Sequence, residues 1–281
     1  MSDRPDETQR ARAWWLAAAS LAPLALLAAV APWCRTPMLV SLALAFGAVV
    51  AAVTIASHAT VRAALGAHIP RALLAIAAGL SLGAISFFFA RGASAGSLRD
   101  VATGLGSTGA ILLTATTIGA VVGSRVPHRG HLLPVALVST AVDLWSALAP
   151  EGPTRALATT PDPAWLRVLA ASAPVAPSRA MEPMLGFADA IFAALYLAAA
   201  KRHALSLWRT TAAVALGLVA AGVVAVLVKK PLPALPFLGL FVVLFVRESR
   251  DVQREDRSAV LVAALLVVAA CARLLWLYTG R

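Results

Sequence analysis

The sequence predicts an all-α fold, a polytopic membrane helix bundle of about nine transmembrane helices forming a single integral membrane domain over residues 1–281. Three observations carry this expectation. The chain is 60% hydrophobic and only 13% charged, whereas a soluble domain has about 45–50% apolar and 25% charged residues. Its apolar residues are gathered into runs close to the ~20 residues that a helix needs to cross hydrocarbon. Lys and Arg, which give a formal net charge of +11, lie mainly between those runs, where basic residues set topology. Without aromatic–basic interleaving or a basic tail, that charge does not point to nucleic acid.

The runs, in order, are 13–33, 38–58, 72–90, 104–124, 132–150, 183–200, 210–228, 231–246 and 259–278. Before the first run, Asp3, Asp6 and Glu7 offset Arg4, Arg10 and Arg12. The run itself is long for the apolar core of a signal peptide, so it reads as a retained span. "GLGSTGA" (104–110) lies inside the fourth run with no lysine after it. It reads as a close helix-packing face rather than a phosphate loop. The long connection is 151–182, hydrophilic and rich in proline; its short apolar patch, "AWLRVLAASAPV", is expected to lie along the membrane surface. "RESRDVQREDR" reads as a solvated turn before the last span.

Cys34 and Cys271 are the only cysteines, too few for a disulfide framework or a metal site. His58, His68, His128, His131 and His203 are scattered near run ends with no His-Glu-x-x-His pattern. They read as interfacial or loop residues, so no metal and no cofactor are expected.

The acidic residues carry the chemistry. Of the 13 Asp and Glu, only Asp143 and Asp189 fall inside apolar runs. An aspartate at mid-helix costs about 2.5–3.5 kcal/mol on insertion scales, and an intramembrane acid is a functional-site hypothesis by default. Two carboxylates facing one another across a wet cavity would share one proton. The ionised member can then take a proton from water while its partner supplies one to a leaving amine. The other readings of such acids are proton relays, ion sites and helix–helix hydrogen bonds. Beside Asp189, the small residues Gly186, Ala188 and Ala190 would let helix backbones approach closely.

At this point the residues resemble a family. "VDLWSALAPEGPTRAL" (142–157) is similar to the presenilin segment that carries the first catalytic aspartate, sharing Asp143-Leu144, Leu148, Pro150, Gly152-Pro153, Arg155 and Leu157. "LGFADAIF" (185–192) resembles the Gly-x-Gly-Asp motif that holds the second, and "KKPLPALP" (229–236) resembles the Pro-Ala-Leu signature with its preceding lysines. The three occur in family order, with one run between the second and third.

The resemblance implies a presenilin-like bundle and an intramembrane aspartyl protease of the presenilin and signal peptide peptidase type. Asp143 and Asp189 would be the catalytic pair. Pro233, Ala234 and Leu235, with Gly186 and Ala188, would shape the active site and help bind the substrate backbone. The substrates it implies are single transmembrane helices of the lipid bilayer, cut in a cell membrane that the enzyme crosses many times. Family members work either alone or inside a larger complex, and both remain open.

Four departures accompany the match, one of them an additional run, 259–278, after the Pro-Ala-Leu segment. Val142 stands where tyrosine is common, Ala188 stands where the motif has glycine, and four runs precede Asp143 where presenilins have five spans. The motifs place the N-terminus outside, whereas the distribution of Lys and Arg places it inside. The alternative function is a non-proteolytic protein on the same scaffold, binding transmembrane segments or conducting ions or protons through an acid-lined cavity. One feature looks out of place in a membrane helix: the prolines of "KKPLPALPFLGLFVVLF". The expectation is that this stretch packs against Asp143 and Asp189 and offers its main chain to a substrate.

Overall fold

The computed structural model describes residues 15–16, 18–158, 169–228 and 232–279. In chain order the elements are α1 (Ala22–Val30), α2 (Met38–Arg62), α3 (Ile69–Ala90), α4 (Leu98–Gly123), α5 (Leu132–Leu148) and α6 (Pro153–Ala158). A hairpin follows, β1 (Ala170–Val175) and β2 (Ala180–Gly186). After it come α7 (Phe187–Arg202), α8 (Leu207–Val228), α9 (Leu235–Phe245) and α10 (Arg257–Thr279).

Six helical segments among the described residues are long and apolar enough to cross a membrane: α2, α3, α4, α5 with its flanking turns, α8, and α10 with the turn before it. The chain is a mostly helical, multi-pass membrane protein. Among the described residues, the other expected spans are represented by α1, α7 and α9, with 9, 16 and 11 residues, each below the ~20 that a span requires; helical residues also precede α1 at 15–16 and 18–19. For α9 the reason is local. Pro236 occupies the first helical turn, where a missing N–H is tolerated, and the charged segment from Arg247 stops the helix after Phe245. For α7, residues 180–186 are taken by β2, so the helix starts only at Phe187.

Contacts divide the chain into two units. The first comprises residues 1–124 and 163–198, and its innermost long helix is α4. Gly119 and Gly123, one turn apart on α4, leave no room for a Cβ against the Ile191 and Leu195 carbonyls of α7. Small residues at that spacing let two helix backbones meet. In "GLGSTGA", Gly104 faces the Met181 side chain and Gly106 faces Ser86 of α3, so this stretch is a packing face.

The hairpin is antiparallel, running in register from Ala170↔Gly186 to Val175↔Ala180 with an irregularity after Ala171. Part of the patch expected at the membrane surface is therefore a strand, buried from Ala171 to Val175 against α1, α2 and α4. Its small side chains allow this depth. At the irregularity α4 satisfies the Ser172 backbone: its N–H donates to Thr108 Oγ1 at 2.9 Å, and the Thr108 hydroxyl donates to the Ser172 carbonyl at 3.1 Å. Irregular backbone survives in an apolar setting only with such partners.

The second unit comprises residues 125–162 and 199–281. Here α9 lies antiparallel on α5, with Gly239 close to Ala136 and Leu235 at Asp143. Gly217 of α8 packs on Leu238. Helix α10 runs parallel to α5. His131 meets Asp256 near the start of both, and Arg273 pairs with Glu151 near their other ends.

Candidate active site

Asp143 lies two-thirds of the way along α5 and is half-buried. Its Oδ2 accepts the Leu235 N–H at 3.0 Å. Leu235 is the opening residue of α9, and Ala234 before it has no side chain to cap the helix. The first N–H groups of a helix have no intrahelical acceptor. Two features lessen that difficulty here. Pro236 has no N–H to satisfy, and Asp143 accepts the one at Leu235. The carboxylate also meets the positive end of the α9 dipole. Pro233, Ala234 and Leu235 are all buried. The structure thus brings the Pro-Ala-Leu segment to Asp143, while Lys229, Lys230 and Pro231 lie outside the described residues.

The residues after Asp143 fold back on the end of α5. Arg155 Nη1 donates to the Leu148 carbonyl at 3.1 Å, and the Ser146 and Thr154 hydroxyls bond at 2.6 Å. Gly152 donates its N–H to the Ala149 carbonyl at 3.0 Å and sits where a Cβ would meet the Ser146 carbonyl. These contacts account for the glycine and the arginine that follow the aspartate in sequence. Val142, by contrast, points outward and is exposed.

Asp189 is 8% exposed and belongs to the first turn of α7. Its Oδ2 accepts the Gly186 N–H at 2.9 Å, the side-chain half of a capping box. The sequence reading put this carboxylate inside a span, yet it comes three residues after a strand. Acid at a helix start is favoured by the dipole, so the mid-helix penalty does not apply to Asp189 in that form. A Cβ on Gly186 would lie 3.4 Å from Asp189 Oδ2, an ordinary contact. Ala188 is exposed and Ala190 is buried.

Asp143 belongs to the second unit and Asp189 to the first. Each accepts a main-chain N–H at a helix start through its Oδ2. A carboxylate offers about four lone-pair sites, so accepting a main-chain N–H is compatible with exchanging a proton with water. The sequence reading missed strand β2, which ends directly before α7 and exposes Glu182 and Pro183. Pro183 was the available signal, since proline within a sheet is confined mainly to edges, strand starts and bulges. No family model, no curated protein and no solved structure matches the chain.

Proposed function

We propose that the protein is an intramembrane aspartyl endopeptidase of the presenilin and signal peptide peptidase type, built on a presenilin-like scaffold of about nine membrane helices, some of them too short to cross the bilayer alone. The observation that carries the reading is the Leu235 N–H on the Asp143 carboxylate, across 92 residues of sequence. Two segments that separately resemble family motifs meet at the acid that the chemistry needs.

In the proposed mechanism Asp143 and Asp189 act on one substrate amide and hold one proton between them. The ionised carboxylate takes a proton from water, and the water oxygen attacks the carbonyl carbon. The protonated carboxylate donates to the carbonyl oxygen as the tetrahedral intermediate forms. Collapse of the intermediate breaks the C–N bond, with a proton passing to the leaving nitrogen. The scheme needs no cofactor. The substrate is a transmembrane helix, which must unwind locally to expose its amide. Its freed N–H and C=O groups then need partners. The non-helical main chain at Leu232 and Pro233 offers them in the manner of strand addition.

The test is incubation of the purified chain, in lipid nanodiscs, with a panel of single-span reporter helices, with products read by mass spectrometry. The expected products end within or next to the apolar stretch, and a transition-state analogue of aspartyl proteases blocks their formation. An intact panel together with no binding of that analogue would overturn the enzymatic reading.

A further inference from the structure

Outside the carboxylate site, three connections of the second unit bring histidines and an acid together. His128 precedes and His131 ends the turn Arg129–His131 before α5, Asp256 closes the turn Arg254–Asp256 before α10, and His203 follows α7. We propose that His128, His131 and Asp256, with His203 as a further donor, bind a transition-metal dication, zinc by the chemistry of the donors. This inference does not depend on the proteolytic reading.

The geometry is close to that of a bound metal. One ligand atom from each of His128, His131 and Asp256 lies within 4.8 Å of the others. His131 Nε2 is 3.2 Å from Asp256 Oδ1. Metal–ligand bonds of about 2.0–2.1 Å in a tetrahedron set neighbouring ligand atoms ~3.3 Å apart. The His128 ring centroid is 6.3 Å from that of His131 and 6.5 Å from that of His203, so small rotations draw three imidazoles toward one point.

Two ring nitrogens add independent support. His203 Nε2 lies 3.0 Å from the Val126 carbonyl, which can only accept, so that nitrogen carries the proton and Nδ1 keeps the lone pair. An N–H to carbonyl bond of this kind commonly orients a ligating imidazole. His131 Nδ1 is buried with no hydrogen-bond partner, the kind of atom whose presence calls for an explanation such as an ion. A metal on Nδ1 leaves Nε2–H on Asp256 as the orienting carboxylate, and a metal on Nε2 takes Asp256 as a direct ligand. Both arrangements use the same residues. His128 Nδ1 accepts the Gly130 N–H at 3.1 Å, and metal binding exchanges that single neutral bond for coordination.

Imidazoles with one carboxylate suit zinc, copper or nickel, whereas calcium and magnesium take oxygen donors. The nearby Arg129 charge is offset by its pair with Asp251. Asp143 lies twelve residues beyond His131 on α5, about 18 Å along a helix. The metal would therefore clip the connections before α5, α8 and α10 together rather than take part in chemistry at Asp143.

The experiment uses the full chain, purified through a tag without histidine, stripped with chelator and titrated with Co(II). One equivalent is expected to bind, with the visible absorption of a tetrahedral N/O site, and Zn(II) should displace it. Asp256→Asn and His131→Gln should each weaken Co(II) binding at least tenfold while eluting as the wild type does in size exclusion. His68→Gln, at an exposed histidine elsewhere, should bind as the wild type does. A wild type that takes up no stoichiometric Co(II) overturns the proposal without any variant. So does equal binding by the wild type and a His131→Gln/Asp256→Asn double variant.

Discussion

Asp143 holds a helix start through Leu235, and this role separates from proton transfer by substitution. Asparagine keeps an acceptor oxygen for the Leu235 N–H but exchanges no proton, and alanine keeps neither. Asp143→Ala leaves the N–H of buried Leu235 unsatisfied, at a cost of about 1–3 kcal/mol. Asp143→Asn should cost less, about 1 kcal/mol, because only the charge assistance is lost. Thermal unfolding in detergent checks the order, and equal values for the two variants would contradict the capping role. The two carboxylates were legible in the sequence because an acid stands out in an apolar run. That Asp189 begins a helix was not. Residues 180–186 form a short, mostly apolar run, in which strand and helix have no distinguishing period. Nor was the histidine cluster legible, since its members come from connections far apart in sequence.

Among the elements, α4 and α7 are held together where glycine leaves backbone against backbone. Gly123→Leu should push α7, and Asp189 with it, away from α4. Overpacking of this kind costs about 1–3 kcal/mol, and reporter cleavage should fall with it. Gly47 of α2 is the control, since nothing lies within 4 Å of a Cβ placed there. Gly47→Ala should raise stability by roughly 0.5–1 kcal/mol, the usual gain in a helix interior. Melting temperatures of the two variants decide this, and a neutral Gly123→Leu would contradict the close contact. Small residues on α4 were legible as a packing face, but their order of importance was not. Gly104 and Gly106 meet side chains that can shift, whereas Gly119 and Gly123 meet carbonyls that cannot. Only the folded backbone distinguishes the two cases. The hairpin escaped the sequence reading for a related reason. The residues of β1, "AASAPV", carry little strand propensity, and the strand is held by tertiary partners such as Thr108.

At the scale of the molecule, the multi-pass character was readable from composition, because runs of ~20 apolar residues have few other uses. The prolines of the last-but-one run looked misplaced in a membrane helix, yet in the fold Pro233 and Pro236 frame the entrance of α9 at Asp143. The proposed reaction predicts a bell-shaped dependence of cleavage on pH. Protonating the base carboxylate lowers the rate on the acid side, and ionising the acid carboxylate lowers it on the alkaline side. Both limbs belong to the pair rather than to either residue. A rate that rises steadily with pH would instead point to hydroxide or a different nucleophile.

The most direct measurement is cleavage of a single-span reporter in nanodiscs by the wild type, Asp143→Asn and Asp189→Asn, each first shown to be folded by its melting temperature. The account predicts cleavage by the wild type and a loss of at least about a thousandfold in each variant, since neither carboxylate can take over the role of the other. Wild-type levels of cleavage in either folded variant would contradict the two-aspartate mechanism.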